Sequence, residues 1–569
     1  MTLIQAIPVL MALAVAFPFL TSLTVFTVGR KLGDNGRDAI SVIGAILTFC
    51  LVFSILYLAL WTEEGRAIWE NQVPFFKTKQ EEAVTAFVTH LDSPYKGMMN
   101  YGTLVLSHLT DTLSLKLIAD PAALIFAGVS SSLWVIAAFY SIGYMRGHNE
   151  KNLVGFFSSF AVCIGAALGI AFSGNLLTFF IFFEVLTIAT YPLVVHHRDR
   201  AAIKAGRKYL IYTLVSGQIL FAAIVYIYYV TGTLDFSVGG IIGNKLPDGQ
   251  VILLFAMMAL AGAVKAGLMP FHSWLPSAMV APTPVSALLH AVAVVKAGVF
   301  ALVRIVFYIF GQDLIRATGI SNVMLFMAGF TILVSSLIAL TKTNLKARLA
   351  YSTVGQLSYM IAGIFMVTEE AVVGGMYHIV AHAYLKITLF MCAGAIYVNA
   401  HKSDIRDMAG LGKSMPKTFS AFIVASLGIA GMPLLPGFYS KLNLVEGAFE
   451  GHYMFVFIFI ASALLSLTYL MPVGYLAFAP HFSMKGNGTE EKLQWSRSDK
   501  SSDNVSDKDE VAKESGHDHG QQVGEASKLM VVPIWVTVIL ALWLGLSGDG
   551  LIGAKTLAKQ VGALLFGQM

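Results

Sequence analysis

Residues 265–276 read KAGLMPFHSWLP, and residues 428–441 read GIAGMPLLPGFYSK. Each is a hydrophobic segment broken in mid-course by proline and glycine. A lysine stands beside each break: Lys265 before the first, Lys441 after the second. Proline removes a backbone donor and unseats a helical turn, leaving carbonyls that need water, protein or ions. A kink that serves packing accounts for one such helix. Two of them, in corresponding halves and each with a lysine, point to a repeat-built transporter with sites at the breaks.

Outward from these stretches the chain is apolar almost throughout. Of its 569 residues 56% are hydrophobic and only 12% charged, with mean hydropathy +0.72. A soluble protein would be roughly 25% charged, so the composition is that of a polytopic membrane protein. About fourteen runs are long enough to span a bilayer. They lie near residues 4–28, 39–60, 115–143, 153–173, 175–195, 209–231, 250–270, 284–310, 322–341, 346–367, 371–399, 418–446, 453–478 and 530–547. The first run is too long for a cleaved signal and reads as span 1. The expected fold is an all-α integral membrane protein with about 14 spans, spans 7 and 12 being broken.

The net charge of +5 sits in loops and gives no reason to expect nucleic acid as a partner. Loops after spans 1, 3, 5, 9 and 11 carry about seventeen Lys and Arg, those after spans 2, 6, 8, 10 and 12 roughly six. That asymmetry places both termini outside the cytoplasm. Four regions are expected: 1–110 with spans 1 and 2 and an external cap at 62–112, a core over 111–480, a disordered cytoplasmic loop over 481–528, and span 14 with its tail over 529–569. His517, Asp518 and His519 in that loop read as a solvated charge run. Cys50, Cys163 and Cys392 all fall in apolar spans and read as small core residues.

Ionisable groups deep in a bilayer cost about 2.5–3.5 kcal/mol each on the mildest insertion scale, so they tend to mark ion or proton pathways. Glu184 lies near the centre of NLLTFFIFFEVLTIATYPLV with no charged neighbour for several residues on either side. A partner would keep its carboxylate ionised, and Lys265 is the candidate; a static pair that only holds helices together is the alternative. Lys296, in PVSALLHAVAVVKAGVFALVR, is too deep to snorkel. Burial disfavours a lysine's ammonium form and a neighbouring charge can restore it, which suits a relay. His290 on the same segment is either a polar link or a satisfied core histidine. His378, His382 and Lys386 stand at i, i+4 and i+8, on one helix face with about 6 Å of rise per step. Zinc binding by the histidine pair is the rival reading, but no third ligand is evident. Lys441 ends the series. Asp120, just before Pro121, reads equally as a helix cap and as part of the pathway. Asp404, Arg406 and Asp407 read as structural loop residues.

Several stretches together resemble the antiporter-like membrane subunits shared by Mrp-type multisubunit cation/proton antiporters and by respiratory complex I (its L, M and N subunits). They are YSIGYM at 140–145, the Glu184 segment, FHSWLPSAMVAPTPVSALLHAVAVVKAGVF at 271–300, LKARLAYSTVGQLSYM at 345–360, HAYLKITLF at 382–390 and DIRDMAGLGKSMP at 404–416. The resemblance covers roughly residues 110–480. It implies two inverted five-span repeats, spans 4–8 and 9–13. It also implies a hydrated proton axis along Glu184, Lys265, Lys296, His378, His382, Lys386 and Lys441, with Glu184 paired to Lys265. FYSIGYMRG and TIATYPLVVHH look most like D-type subunits of cation/proton antiporters. The chain stops about twenty residues after span 14, where L-type subunits continue into a long lateral helix. Asn344 departs from the aspartate common among relatives.

The expected function is proton translocation as a D-type subunit of a monovalent cation (Na+)/H+ antiporter in a bacterial inner membrane. Its expected partners are other membrane subunits, protons, Na+ and lipid. The alternative is a proton-pumping subunit of a complex I-type NADH-quinone oxidoreductase or membrane-bound hydrogenase. No quinone, flavin or iron–sulfur motif is present, so no cofactor, metal ligand or catalytic residue is assigned to this chain under either reading.

Overall fold

The computed structural model describes residues 3–72, 101–110, 113–479 and 524–567. Helices α1 (Ile7–Val28), α2 (Gly33–Leu60) and α3 (Glu63–Gln72) open the chain, followed by strands β1 (Thr103–His108) and β2 (Ser114–Ile118). Helices α4 (Pro121–Gly147), α5 (Leu153–Ala171), α6 (Leu176–Val194), α7 (Arg200–Thr231) and α8 (Asp248–Ala266) come next. Helix α9 (Thr283–Phe310), α10 (Ile320–Thr341), α11 (Leu345–Phe365) and α12 (Glu369–Ala400) lead to the second broken span, α13 (Pro416–Ala430) and α14 (Pro436–Ala448). Helices α15 (Tyr453–Phe478), α16 (Lys528–Ser547) and α17 (Ala554–Phe566) close the chain.

All fourteen expected spans are helical. Among the described residues, twelve stretches are long and apolar enough to cross a membrane; α11, with its Lys, Arg, Ser and Gln, and the broken α13–α14 span are the other two. Both breaks fall where the sequence puts glycine. Gly267 ends α8 at φ +67° and Gly431 ends α13 at φ +95°, a left-handed conformation that costs glycine little. The indole Nε1 of Trp274 then donates to the Val264 carbonyl at 2.8 Å, satisfying an acceptor at the first break.

The apolar stretches of α9 and α12 are wholly buried, whereas those of α1, α2, α7 and α15 are only 39% buried. Helices α9 and α12 therefore form the centre, and the others present apolar side chains such as Tyr229, Phe326 and Phe457 outward, as lipid-facing surfaces do. Helix α12 packs against α4, α11, α13, α14, α16 and α17.

Four details differ from expectation. The fold is not purely helical: β1 and β2 pair antiparallel, Thr103 opposite Ile118, with a bulge between Val105 and Ser107. The third span accordingly starts at Pro121 and not at residue 115, because Asp120 caps it and Pro121 takes its first position, where no donor is needed. Cys50 is exposed on the outer side of α2, while Cys163 and Cys392 are buried. Helix α17 adds an element beyond the expected spans; it is too short to cross a bilayer and packs on α12 and α4.

Of the regions expected to be loops, residues 73–100 of the external cap and 481–523 of the cytoplasmic loop, with His517, Asp518 and His519, lie outside the described residues. The last residues of that loop are described and are tied down. Glu525 accepts from the Lys417 amide at 2.8 Å and from Thr418 Oγ1 at 2.5 Å, capping the first turn of α13.

Candidate functional site: a buried lysine and histidine series

Helix α12 supplies the middle of the series. Its four-residue spacing puts His378, His382 and Lys386 along one face, all of them buried. They do not bond to one another; each reaches a different neighbour. His382 Nδ1 lies 2.7 Å from Lys296 Nζ of α9. The rings of His382 and His378 have centroids 6.0 Å apart. His378 Nδ1 lies 2.8 Å from Ser440 Oγ, its Nε2 lies 3.1 Å from Gln356 Oε1, and its ring stacks on Tyr359. Lys386 turns toward α11, donating to Ser352 Oγ at 2.6 Å and to the Leu349 carbonyl at 3.3 Å. Ser352 in turn meets the Tyr469 hydroxyl at 2.8 Å.

Helix α9 is irregular where it matters. Its turns are π-helical at Leu288–Val292 and again at Ile305–Phe310, leaving a regular piece, Val294–Arg304, that carries Lys296. Such insertions recur at functional sites because they loosen the backbone ladder. Here Lys296 Nζ also donates to the His290 carbonyl at 3.1 Å. The His290 imidazole is buried beside Phe390, and neither ring nitrogen has a hydrogen-bond partner among the described residues.

At the second break, Lys441 Nζ donates to the carbonyls of Ile429 and Ala430 at 2.7 and 3.2 Å, the acceptors that the end of α13 leaves free. The ammonium also sits 5.0 Å from the centroid of Tyr359, the ring that stacks on His378. Lys296, His382, His378 and Lys441 thus follow one another through the core, first by a hydrogen-bond contact, then by neighbouring rings, then with Tyr359 between His378 and Lys441. Lys441 does not snorkel to the surface.

The first break is different. Lys265 Nζ donates to the Phe183 carbonyl at 2.5 Å and lies 3.2 Å above the Phe183 ring. The expected Glu184–Lys265 ion pair does not form within 4 Å among the described residues. Successive residues of a helix point about 100° apart. Phe183 faces Lys265 while Glu184 turns toward α7, where its Oε1 occupies the place a Cβ on Gly217 would take. Both Glu184 oxygens are buried without a hydrogen-bond partner among the described residues. Lys265 and Glu184 remain within electrostatic range of each other.

Asp120 is the cap of α4: its Oδ1 accepts from the Ala123 amide at 2.7 Å. It is also the counter-ion of Arg304, with both side chains buried and the guanidinium framed by Phe236, Phe300 and Tyr308. Arg304 is absent from the residues singled out by sequence, although it stands eight residues after Lys296 in the same apolar segment, a spacing open to view. Ser352, Gln356 and Tyr359 are absent from them too; their i, i+4, i+7 spacing on α11 marks a polar stripe facing α12. In the loops, Asp404 is held well below the usual carboxylate range by the hydrogen bonds of Arg406. Among the described residues no group of three or more His, Cys, Asp or Glu could hold a metal ion.

Residues 173–466 match the family model described as NADH:quinone oxidoreductase/Mrp antiporter, TM. The NAD(P)H-quinone oxidoreductase chain 5 of Synechocystis sp. is 30% identical over 77% of this chain and 66% of its own length. The D-type subunit of the Na(+)/H(+) antiporter of Alkalihalophilus pseudofirmus is 29% identical over 64% of this chain and 73% of its own. A chain in the structure of the Mrp complex from Dietzia sp. DQ12-45-1b superposes with a TM-score of 0.75 at 21% identity, over 99% of this chain and 97% of that one. The chain spans just under two thirds of the length of the Synechocystis relative. With its helical architecture, its broken spans and its match over about half its length, this multi-pass chain belongs to the NADH:quinone oxidoreductase/Mrp antiporter transmembrane family, as a cation/proton antiporter-like membrane subunit.

Proposed function

We propose that this chain is the D-type, proton-translocating subunit of a multisubunit monovalent cation/H+ antiporter, with Na+ as the exchanged cation, in a bacterial inner membrane with both termini outside. The observation that carries the reading is the 2.7 Å contact between Lys296 and His382, fully buried between α9 and α12. Two titratable nitrogens in hydrogen-bond contact at the centre of an apolar bundle can pass a proton between them. His378 and Lys441 continue the line toward the second break, and Lys386 forms a branch toward Ser352 and Tyr469. Glu184 and Lys265 act as a charge pair that changes the preferred state of the relay without being bonded to each other. The likeness to the D-type antiporter protein of Alkalihalophilus pseudofirmus, over most of that protein's length, supports the antiporter assignment.

A second reading is favoured by the Synechocystis relative, which matches a larger share of this chain: a proton-pumping subunit of a quinone-reducing complex. Under either reading other membrane subunits are partners, and redox chemistry lies outside this chain. The test is to purify the assembly with its accompanying subunits and reconstitute it in vesicles carrying a pH-sensitive dye. Na+-driven proton movement that Lys296→Ala or His382→Ala abolishes, with the assembly intact, is the expected result. Normal exchange in Lys296→Ala overturns the relay; proton movement driven only by NADH and quinone selects the second reading.

A further inference from the structure

Outside the buried series, three imidazoles converge on one carboxylate at a membrane-surface end of the bundle. Glu150 lies in the loop between α4 and α5 with its side chain 6% exposed. His148 Nδ1 is 3.1 Å from its Oε1, while His196 Nε2 and His197 Nδ1, from the loop between α6 and α7, are 3.5 and 3.7 Å from its Oε2. Both loops reach this point through left-handed turns, at Asn149, Asn152 and Arg198. His148 and His197 are about a third exposed and His196 is buried, so the group grades from solvent inward. These are the loops after spans 3 and 5, two of the Lys- and Arg-rich loops on the expected cytoplasmic side.

A polar line leads from this cluster toward the relay. The His148 ring stacks on Tyr144, one turn back on α4, and on Tyr397 of α12. Thr283 Oγ1, at the first residue of α9, donates to the Tyr144 hydroxyl at 3.4 Å. Thr283 and Ser286 follow at i and i+3 on the first regular turn of α9, and His290 lies in the π-helical turn after it. Ser286 Oγ and both His290 ring nitrogens are buried without a hydrogen-bond partner among the described residues, and the His290 carbonyl holds Lys296. Buried polar atoms are ordinarily satisfied, by protein or by ordered water. Two such residues in succession on α9, the second holding the relay lysine through its carbonyl, are what a hydrated proton path requires.

We infer that Glu150 with His148, His196 and His197 is a proton-exchange site between bulk water and the buried relay, connected to Lys296 through Tyr144, Thr283, Ser286 and His290. The inference rests on the proposed proton-translocating function. An imidazole nitrogen can both bind and release a proton, and the shielded carboxylate holds three such rings together at one place. Burial works against the Glu150 carboxylate, but the hydrogen bond from His196 and the charges of His197, His196 and His148 hold its proton affinity below the ordinary glutamate value. Lys346, at the start of α11, and Asp199, at the start of α7, are the other charged groups in electrostatic range. Lys346 itself donates to the Ala281 carbonyl just before α9.

The experiment uses the whole reconstituted assembly with Glu150→Gln, His196→Gln and the partly exposed His197→Gln, each assayed against pH at low buffer strength and again with added imidazole. Expected are a several-fold loss of proton exchange at low buffer, an altered pH profile, and recovery with imidazole, which replaces a lost proton collector but not a damaged fold. Wild-type rates and pH profiles in all three variants overturn the inference, as does a loss that imidazole does not restore. Lys296→Ala is the internal control. If it is inactive while Glu150→Gln matches wild type, only the exchange site fails; if Lys296→Ala is active, the relay itself fails.

Discussion

Gly217 has no side chain, and the Glu184 carboxylate stands where one would be: an added Cβ would fall 2.0 Å from Oε1. Gly217→Ala is expected to push that carboxylate from α7 and slow proton exchange several-fold with assembly unchanged; a wild-type rate in reconstituted vesicles would show that its placement is immaterial. Asp120 offers a separable pair of effects. Asp120→Ala strands the buried Arg304 charge, at about 3–5 kcal/mol, and removes a helix cap worth about 1 kcal/mol. Asp120→Asn keeps the cap and loses only the charge, so thermal unfolding in detergent should rank wild type above Asn above Ala. Every proposed relay residue is legible as an ionisable group in an apolar run, because charge in such a run is conspicuous. Their partners are not. Lys296 and His382 are 86 positions apart, and the expected Glu184–Lys265 contact fails because the faces that meet depend on how α6 is rotated against α7 and α8.

Helices α8 and α9 cross so closely that a Cβ on Gly298 would meet the Ala266 amide at 2.4 Å and the Gly262 carbonyl at 2.8 Å. Gly298→Val is therefore expected to destabilise the bundle by about 1–3 kcal/mol, since over-packing a close crossing forces the backbones apart. Size-exclusion yield and melting temperature read it out, and an unchanged melting temperature would mean that the crossing yields easily. The breaks themselves are legible, since Gly267 and Gly431 end their helices where glycine and proline cluster in the sequence. The hairpin is not. Residues 114–118, SLKLI, run straight into the apolar third span, and nothing local separates a short strand from the start of a helix there. Helix α17 escapes a search for spans because its apolar stripe is too short for one.

At the level of the whole molecule, a rim of half-buried helices surrounds a centre of fully buried ones, and that order follows from where polar residues occur. Helices α9 and α12 carry histidines and lysines that lipid would not tolerate, so they must lie inside. The loop clusters add an expectation for stability against pH. The Glu150 carboxylate binds its proton less readily in the folded protein than in the unfolded chain, so its contribution is present above the ordinary glutamate range and is lost as pH falls through the depressed folded value. Glu150→Gln should flatten the acid side of a melting-temperature profile in detergent; an unchanged slope would mean that other carboxylates set it. The central contact has an electrical consequence. With 2.7 Å between Lys296 Nζ and His382 Nδ1, only one of the two nitrogens can present hydrogen to the other, so the pair carries at most one elementary charge in this arrangement. A transmembrane voltage does about 2.3 kcal/mol of work on one charge crossing 100 mV. Occupancy of this pair should shift with voltage as a single-charge step, in proportion to its depth in the field.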